Sequence, residues 1–316
     1  MNIKKLNLVN ETILAPLTDF NDHAFLLLCR KYNASLLFTQ KYDINALINN
    51  FQKFEDELKT YKKERPIFIQ LIGNDPQKIS RAIEMLESFD YDGYDLNLGC
   101  NSPNSIKNNI GGALLRTPAK IGAIINKMVQ STNKFVSAKI RIGFDRYSIN
   151  ALEVAKTIEK SGADFLTIHG RTVEAGYSGK SNLDIIKYVK ENVDIPVIGN
   201  GDIIDGPTAE LMKKYTKCDL LMIGRAAIGY PRIFYEINYY FRNHKLSRCS
   251  KDLYKKILIE YYLLLKKVYP EKTQNLSFLK NKLTQFIRPK LCRRFFKSAI
   301  LEQNTILGIE NLILNE

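Results

Sequence analysis

The sequence has no tryptophan, only three histidines and five cysteines in 316 residues. Cys29, Cys100, Cys218, Cys249 and Cys292 are odd in number, scattered and free of any CxxC pair, which argues against a disulfide framework or a zinc ribbon. His23, His169 and His244 lie far apart and form no helical i, i+4 pair, so no metal is expected. No apolar run approaches the ~20 residues of a membrane span. The opening stretch, MNIKKLNLVNETILAPL, has charges and Asn where a signal peptide needs an apolar core. A reducing, cytoplasmic setting and no membrane partner are therefore expected. Negative charge is also scarce: 33 Asp and Glu face 47 Lys and Arg, a net charge of +14. That balance predicts a polyanionic partner.

What is present suits a globular protein. The chain is 45% apolar and 25% charged, which excludes a disordered or fibrous one. Its length sets a prior of about two domains at roughly 150 residues each and can bury a core without disulfides or a structural metal. Residues 243–316 hold 15 Lys and Arg against 6 Asp and Glu, a net +9, whereas residues 1–242 carry only +5. The asymmetry predicts a boundary near 243–250, dividing a domain at 1–242 from a small basic one at 243–316.

Before that boundary, short apolar runs alternate with amphipathic stretches. The strand-like runs are ILAPL (13–17), SLLFTQ (35–40), PIFIQLIG (66–73), YDLNLG (94–99), FVSAKIRIG (135–143), FLTIHG (165–170), IPVIGNGD (195–202) and DLLMIGR (219–225). They are rich in β-branched residues and apolar almost throughout, as strands buried on both faces are. Segments such as DPQKISRAIEMLESF, TPAKIGAIINKMVQ and GPTAELMKKYTK read as the helices between them, several opening on a capping or first-turn residue. Eight such units predict a (β/α)₈ TIM barrel; a doubly wound sheet is the alternative. The tail has no strand pattern. DLYKKILIEYYLLLKKVY, FLKNKLTQFIR and RRFFKSAILEQ read as amphipathic helices, giving a small all-helical domain after the barrel.

Active sites of such barrels gather at the carboxyl ends of the strands. The polar residues there are Gln70, Asn97, Cys100, Lys139, Arg141, His169, Arg171, Asn200, Asp202 and Arg225. Buried strand ends are ordinarily apolar because an unpaired polar group is costly, so this convergence points to a ligand. Glycines in IGNGD (198–202) and IGR (223–225), with Arg225, point to a phosphate. Lys139 and Arg141 alternate on one strand and share its inward face, where two cations call for an anionic or electron-rich ligand. Cys100, in a loop rich in Asn, Ser and Gly, is placed to donate a proton; the other four cysteines read as small buried hydrophobes.

These residues fall in motifs that resemble the flavin-dependent tRNA-dihydrouridine synthases. The matching segments are APL (15–17), FIQLIGNDP (68–76), YDLNLGC (94–100), GGALLRTP (111–118), AKIRIGFD (138–145), IHGRT (168–172), YSGKSN (177–182), VIGNGDI (197–203) and LLMIGRAAIGYPRIF (220–234), in family order. The resemblance implies an FMN-holding barrel with a basic helical domain gripping tRNA, and NADPH as the reductant. It implies that Pro16, Leu17, Thr18, Gln70, Lys139 and His169 line the flavin, and that Asn200, Gly201, Asp202, Gly224 and Arg225 hold its ribityl-phosphate. Asn97 and Arg141 would orient a uracil extruded from the tRNA stack. Hydride would pass from flavin N5 to C6 of uridine, and Cys100 would protonate C5. Some positions depart from the family pattern: Asn101 stands where Pro usually follows the cysteine, TQK (39–41) where TEM is usual, and Leu183 where Trp is frequent.

RPKLCRRFFKS (288–298), with Lys280 and Lys282 before it, reads as a phosphate-binding face made by Lys280, Lys282, Arg288, Lys290, Arg293, Arg294 and Lys297. A monomer is expected. The rival readings are an FMN-dependent reductase of a free pyrimidine, which has no need of a +9 tail, and a non-catalytic RNA-binding protein, which has no need of Cys100, Lys139 and Arg141.

Overall fold

The computed structural model describes residues 6–288, 291–292 and 296–315. Eight short strands form one sheet: β1 (Thr12–Leu14), β2 (Leu37–Asp43), β3 (Ile67–Ile72), β4 (Gly93–Leu98), β5 (Phe135–Arg141), β6 (Phe165–His169), β7 (Val197–Asn200) and β8 (Leu220–Ile223). Neighbours are parallel throughout, in the order β1-β8-β7-β6-β5-β4-β3-β2. The last edge closes where Ser35 N donates to Thr12 O at 2.8 Å and Leu14 N to Leu36 O at 3.0 Å. This is the barrel expected from the eight apolar runs, followed by helices at the carboxyl end.

Two strand boundaries differ from the apolar pattern for local reasons. β1 ends at Leu14 rather than residue 17, because Pro16 has no N–H to continue the ladder. β2 runs on to Asp43, carried by pairing of Lys41–Asp43 with Gln70–Ile72 although Lys41 and Asp43 are polar. The helices start where capping chemistry allows. In α4 (Pro76–Leu86), the Asp75 carboxylate accepts from Gln77 N and Lys78 N, with Pro76 in the first turn.

The barrel interior is layered. At the amino-terminal end, Phe38, Phe68, Phe135 and Phe165 fill the lumen together with Ile13, Ile198 and Met222. Phe68 is the hub, its ring 5.5, 6.2 and 5.4 Å from those of Phe38, Phe135 and Phe165. A separate, larger core lies between the strands and the surrounding helices. One step higher the lumen turns polar at Gln70, Asp95, Ser137 and Thr167, all buried. The mouth follows above. Packing therefore seals one end and leaves the other for chemistry.

The last barrel helix (α10, Ile233–Asn243) closes on His244 in a left-handed conformation, and a link over 245–250 leads to α11 (Lys251–Val268), α12 (Leu276–Phe286), α13 (Phe296–Glu302) and α14 (Ile306–Asn315). These helices dock beside α1 (His23–Lys31) and the loops at the mouth. Tyr261 OH donates to Asp22 Oδ2 at 2.9 Å, His23 N donates to Tyr269 OH at 3.1 Å, and Tyr261 stacks on Phe286 at 4.0 Å. Lys282 Nζ donates to Asp19 O at 2.9 Å and pairs with Asp22 at 3.2 Å. Arg288 Nε donates to Ile228 O at 2.9 Å, with a second nitrogen on Ala226 O. Lys282 and Arg288, expected on a phosphate-binding face, are thus engaged at the seam between tail and barrel. Lys280 donates to Leu301 O at 2.5 Å, and Lys297 is exposed. Lys290, Arg293 and Arg294 lie outside the described residues.

Beneath this seam, His23 Nδ1 meets Glu64 Oε1 at 2.7 Å, and the wholly buried Glu64 also accepts from Tyr61 N at 2.9 Å. Burial lowers the His23 pKa, but the Glu64 hydrogen bond and charge and the Glu57 carbonyl outweigh it and leave the pKa raised above 6.5. A raised pKa contributes stability that is complete below about 6.5 and lost as pH rises through the folded value. Glu64→Leu is expected to cost about 3–5 kcal/mol, because it leaves a buried polar cluster unpaired. It should also abolish the decline of the parent's urea midpoint on raising the pH from acidic to alkaline. A parent midpoint flat across that range would contradict the assignment.

Candidate active site

The strand periodicity brings the predicted residues to one place. Two-residue spacing turns Asp95 and Asn97 of β4, Ser137, Lys139 and Arg141 of β5, and Thr167 and His169 of β6 into the lumen. Asn200 stands at the end of β7, and its Nδ2 donates to Met222 O of β8 at 2.7 Å. Lys139 Nζ donates to Asn200 Oδ1 at 2.9 Å, so one chain of hydrogen bonds crosses from β5 to β8. A second chain runs the other way. Asn97 Nδ2 donates to Gln70 Oε1, Gln70 Nε2 to Asp95 Oδ2, each at 2.7 Å, and Ser137 Oγ to Asp95 Oδ1 at 2.6 Å.

Asn97 also builds the Cys100 loop. Its Oδ1 accepts from Gly99 N at 3.1 Å and Cys100 N at 2.9 Å, folding the chain back at the top of β4. From the other side Gly112 N donates to Cys100 O at 3.0 Å. Gly111, with φ +60°, comes so near that a Cβ there would lie 2.8 Å from Cys100 Cβ, which accounts for the double glycine of GGALLRTP. Arg141 completes the clamp: Nε donates to Gly99 O at 2.9 Å, and Nη1 to Thr172 O and Gly176 O at 2.9 and 2.7 Å. Among the described residues no acceptor pairs with Nη2. Asn97 and Arg141 therefore hold the thiol loop as well as facing the mouth. Pro16 and Leu17 are half-buried just past β1, and the exposed Thr18 accepts from Lys41 Nζ at 2.9 Å.

The mouth carries a surplus of positive charge. His169 is pushed down to about 2, first by burial and then by Lys139, Arg141, Arg171 and Arg225, so it is neutral. Burial, then Arg141, lowers Lys139 to about 7, although its side chain keeps an accessible edge; Asp95 acts in the opposite sense. Asp95 is itself raised to about 6 by burial, against hydrogen bonds from Ser137 and Gln70 and the charge of Lys139. At the ends of β7 and β8, Arg171 Nη2 donates to both Asp202 oxygens at 2.7 and 2.8 Å, and Ser181 N donates to Oδ2 at 2.8 Å. Arg225 stands 3.6 Å from Asp202, its guanidinium 4.3 Å from the centre of the Tyr177 ring. The Asp202 carboxylate is thus engaged with cations and positions them.

This end fits a phosphate-bearing ligand. Gly201 has φ +124°, and a Cβ there would strike Ser181 Oγ at 2.4 Å, so the position calls for glycine. A Cβ at Gly224 would meet nothing nearer than Ala15 at 3.8 Å, leaving open space at the tip of β8. Arg171 Nη1 and Ser181 Oγ are buried nearby in the chain's β6–β7 loop, without a hydrogen-bond partner among the described residues. Open space at Gly224 followed by the exposed cation Arg225 is an arrangement that suits a phosphate. A groove of about 630 Å³ exists at the opposite end, around Glu11, Glu210 and Lys213, but Lys213–Glu11 and Lys214–Glu210 pair its charges internally.

Reading the sequence missed several contributors. Asp95 and Ser137 lie beneath the mouth on the same inward period as Asn97 and Lys139, and that alternation was the available signal. Tyr177 sits in the YSGKSN segment but was given no role. Ser102 and Ser105, which surround the Cys100 sulfur, follow an N-cap, Pro, x, x spacing that marks a helix start and nothing more. Among the described residues no group of three His, Cys, Asp or Glu is arranged to hold a metal, and no helix is long and apolar enough to cross a membrane.

Comparison with known proteins places this arrangement. The family model described as dihydrouridine synthase matches residues 13–301. The tRNA-dihydrouridine synthase B of Pasteurella multocida is 35% identical over 234 residues, covering 74% of this chain and 70% of that one. The same-named protein of Proteus vulgaris is 36% identical over 248 residues, covering 78% and 76%. A probable tRNA-dihydrouridine synthase of Aquifex aeolicus is 33% identical over 240 residues, covering 75% and 74%. With a family model spanning barrel and tail and relatives matched over most of both lengths, the chain belongs to the dihydrouridine synthase family.

Proposed function

We propose that this protein reduces the C5–C6 double bond of a uridine in tRNA, using FMN held at the barrel mouth and NADPH as the source of reducing equivalents. The observation that carries the reading is one mouth holding both the Cys100 thiol and a surplus of cations. When bound and reduced, FMN supplies the hydride for C6. The chain's own residues do the rest.

Lys139, fixed by Asn200, meets the electron-rich side of the cofactor; an anion beside it restores the ammonium that burial disfavours. Neutral His169 packs there without adding to the repulsion among cations. Pro16, Leu17 and Thr18, on the loop after β1, would help to hold the flavin, as would Gln70. Arg225 and Arg171, with the backbone of Asn200, Gly201, Asp202 and Gly224, hold the phosphate. Arg141 presents Nη2 to a uracil carbonyl, and Asn97 keeps the thiol loop in register with it. Hydride arrival at C6 leaves enolate character at C5, and Cys100 supplies the proton there. The basic helical region from 243 onward grips tRNA through Lys280, Lys297, Lys290, Arg293 and Arg294, while Lys282 and Arg288 fix that region to the barrel.

Cys100→Ala is expected to lower dihydrouridine formation in tRNA by about 10²–10⁴-fold with flavin content unchanged, measured by mass spectrometry of digested tRNA. Activity within twofold of the parent would remove Cys100 as the acid. Arg225→Ala should weaken FMN binding about 10- to 100-fold and leave riboflavin affinity unaltered, as read by flavin fluorescence. An equal loss for both would dissociate Arg225 from the phosphate. Arg293→Glu with Arg294→Glu should weaken tRNA binding and reduce the salt slope by about 2. Turnover of free uridine as fast as tRNA would instead favour a free-pyrimidine reductase.

A further inference from the structure

The sulfur of Cys100 is enclosed by two hydroxyls whose arrangement the proposed reaction has not yet used. Ser105 Oγ donates to Cys100 Sγ at 3.1 Å, Ser102 Oγ donates to Ser105 Oγ at 2.8 Å, and Cys100 Sγ lies 3.5 Å from Ser102 Oγ. Donors and acceptors close a triangle. The two serines differ in their other duties. Ser102 is the N-cap of the short helix α5 (Pro103–Lys107), its Oγ accepting from Ser105 N at 3.2 Å, and it keeps an edge toward solvent. Ser105 is 3% exposed, and among the described residues the partners of its hydroxyl are Ser102 and the thiol. An apolar side chain would fill that buried position without requiring a partner, so packing does not explain the hydroxyl. The charged groups facing the sulfur are Lys41 from β2 and Arg141 from β5, both cations.

Resting on the assignment of Cys100 as the acid, we propose that Ser105, with Ser102, relays a proton from solvent back to Cys100 after each turnover. The balance is simple. The S–H bond breaks as the C5–H bond forms, leaving a thiolate. The Ser105 O–H proton moves to sulfur, the Ser102 proton moves to Ser105 Oγ, and a hydronium or buffer acid at the mouth reprotonates Ser102. Sulfur keeps its oxidation state, and one bulk proton is consumed per uridine reduced. Burial pushes the Cys100 thiol up, but the Ser102 and Ser105 hydrogen bonds and Lys41 outweigh it and bring it below its usual value, consistent with a thiolate that survives long enough to be reprotonated.

The test compares Ser105→Ala, Ser102→Ala and Cys100→Ala as flavin-loaded proteins. One readout is the pH dependence of Cys100 alkylation by iodoacetamide, mapped by peptide mass. The other is turnover of tRNA, in a first turnover from reduced enzyme and in steady state. Ser105→Ala is expected to raise the alkylation midpoint by about one pH unit and to slow steady state at least ~10-fold while the first turnover stays within about twofold. Ser102→Ala should also raise the midpoint and slow steady state, and it carries the test if Ser105→Ala does not fold. If either serine variant folds and matches the parent in steady state, the relay is overturned. Loss of the first turnover in Cys100→Ala alone would then leave the acid assignment standing; retention of it would overturn both.

Discussion

Everything at the mouth follows from placing Lys139, Arg141, Arg171 and Arg225 around one neutral histidine, with few carboxylates to balance them. Like charges held out of water repel, and the repulsion is strongest where the surroundings are least polarisable. The protein relieves part of it locally: Asp202 bridges Arg171 and Arg225, His169 stays neutral, and Lys139 is drawn toward neutrality. The remainder makes the site a receptor for negative charge. A phosphate at Arg225 and an electron-rich ring near Lys139 would each remove a cost that the empty arrangement carries.

The layering beneath explains why such a charged mouth is stable. Phenylalanines around Phe68 supply a dry base, and the Gln70–Asp95–Ser137 layer makes the transition by satisfying polar groups with one another. Asn97 joins that layer to the Cys100 loop, so the position of the thiol is set from the barrel interior. From outside, the tail reaches the same region: Lys282, Tyr261 and Arg288 bind the loops after β1 and β8, which also border the mouth.

The barrel was legible because its eight strands are buried on both faces and so read as continuous apolar runs. The ends of β1 and β2 were less so: pairing carried Lys41 and Asp43 into a strand, and a proline ended another early, neither of which apolar content reports. At the mouth, residue type at strand ends indicated which side chains the fold brings together but not which partner each one meets. Asp202 binds arginines, Asn97 shapes a loop, and Lys282 and Arg288 dock the tail. Such roles depend on which of several reachable partners a side chain meets, and that is decided by tertiary contact.

The most direct measurement is the midpoint potential of FMN bound to the parent and to Lys139→Gln. If the surplus positive charge at the mouth stabilises reduced flavin, the parent binds one FMN per chain and the variant's potential falls. A parent that takes up no FMN, or a variant whose potential equals the parent's, would contradict that claim.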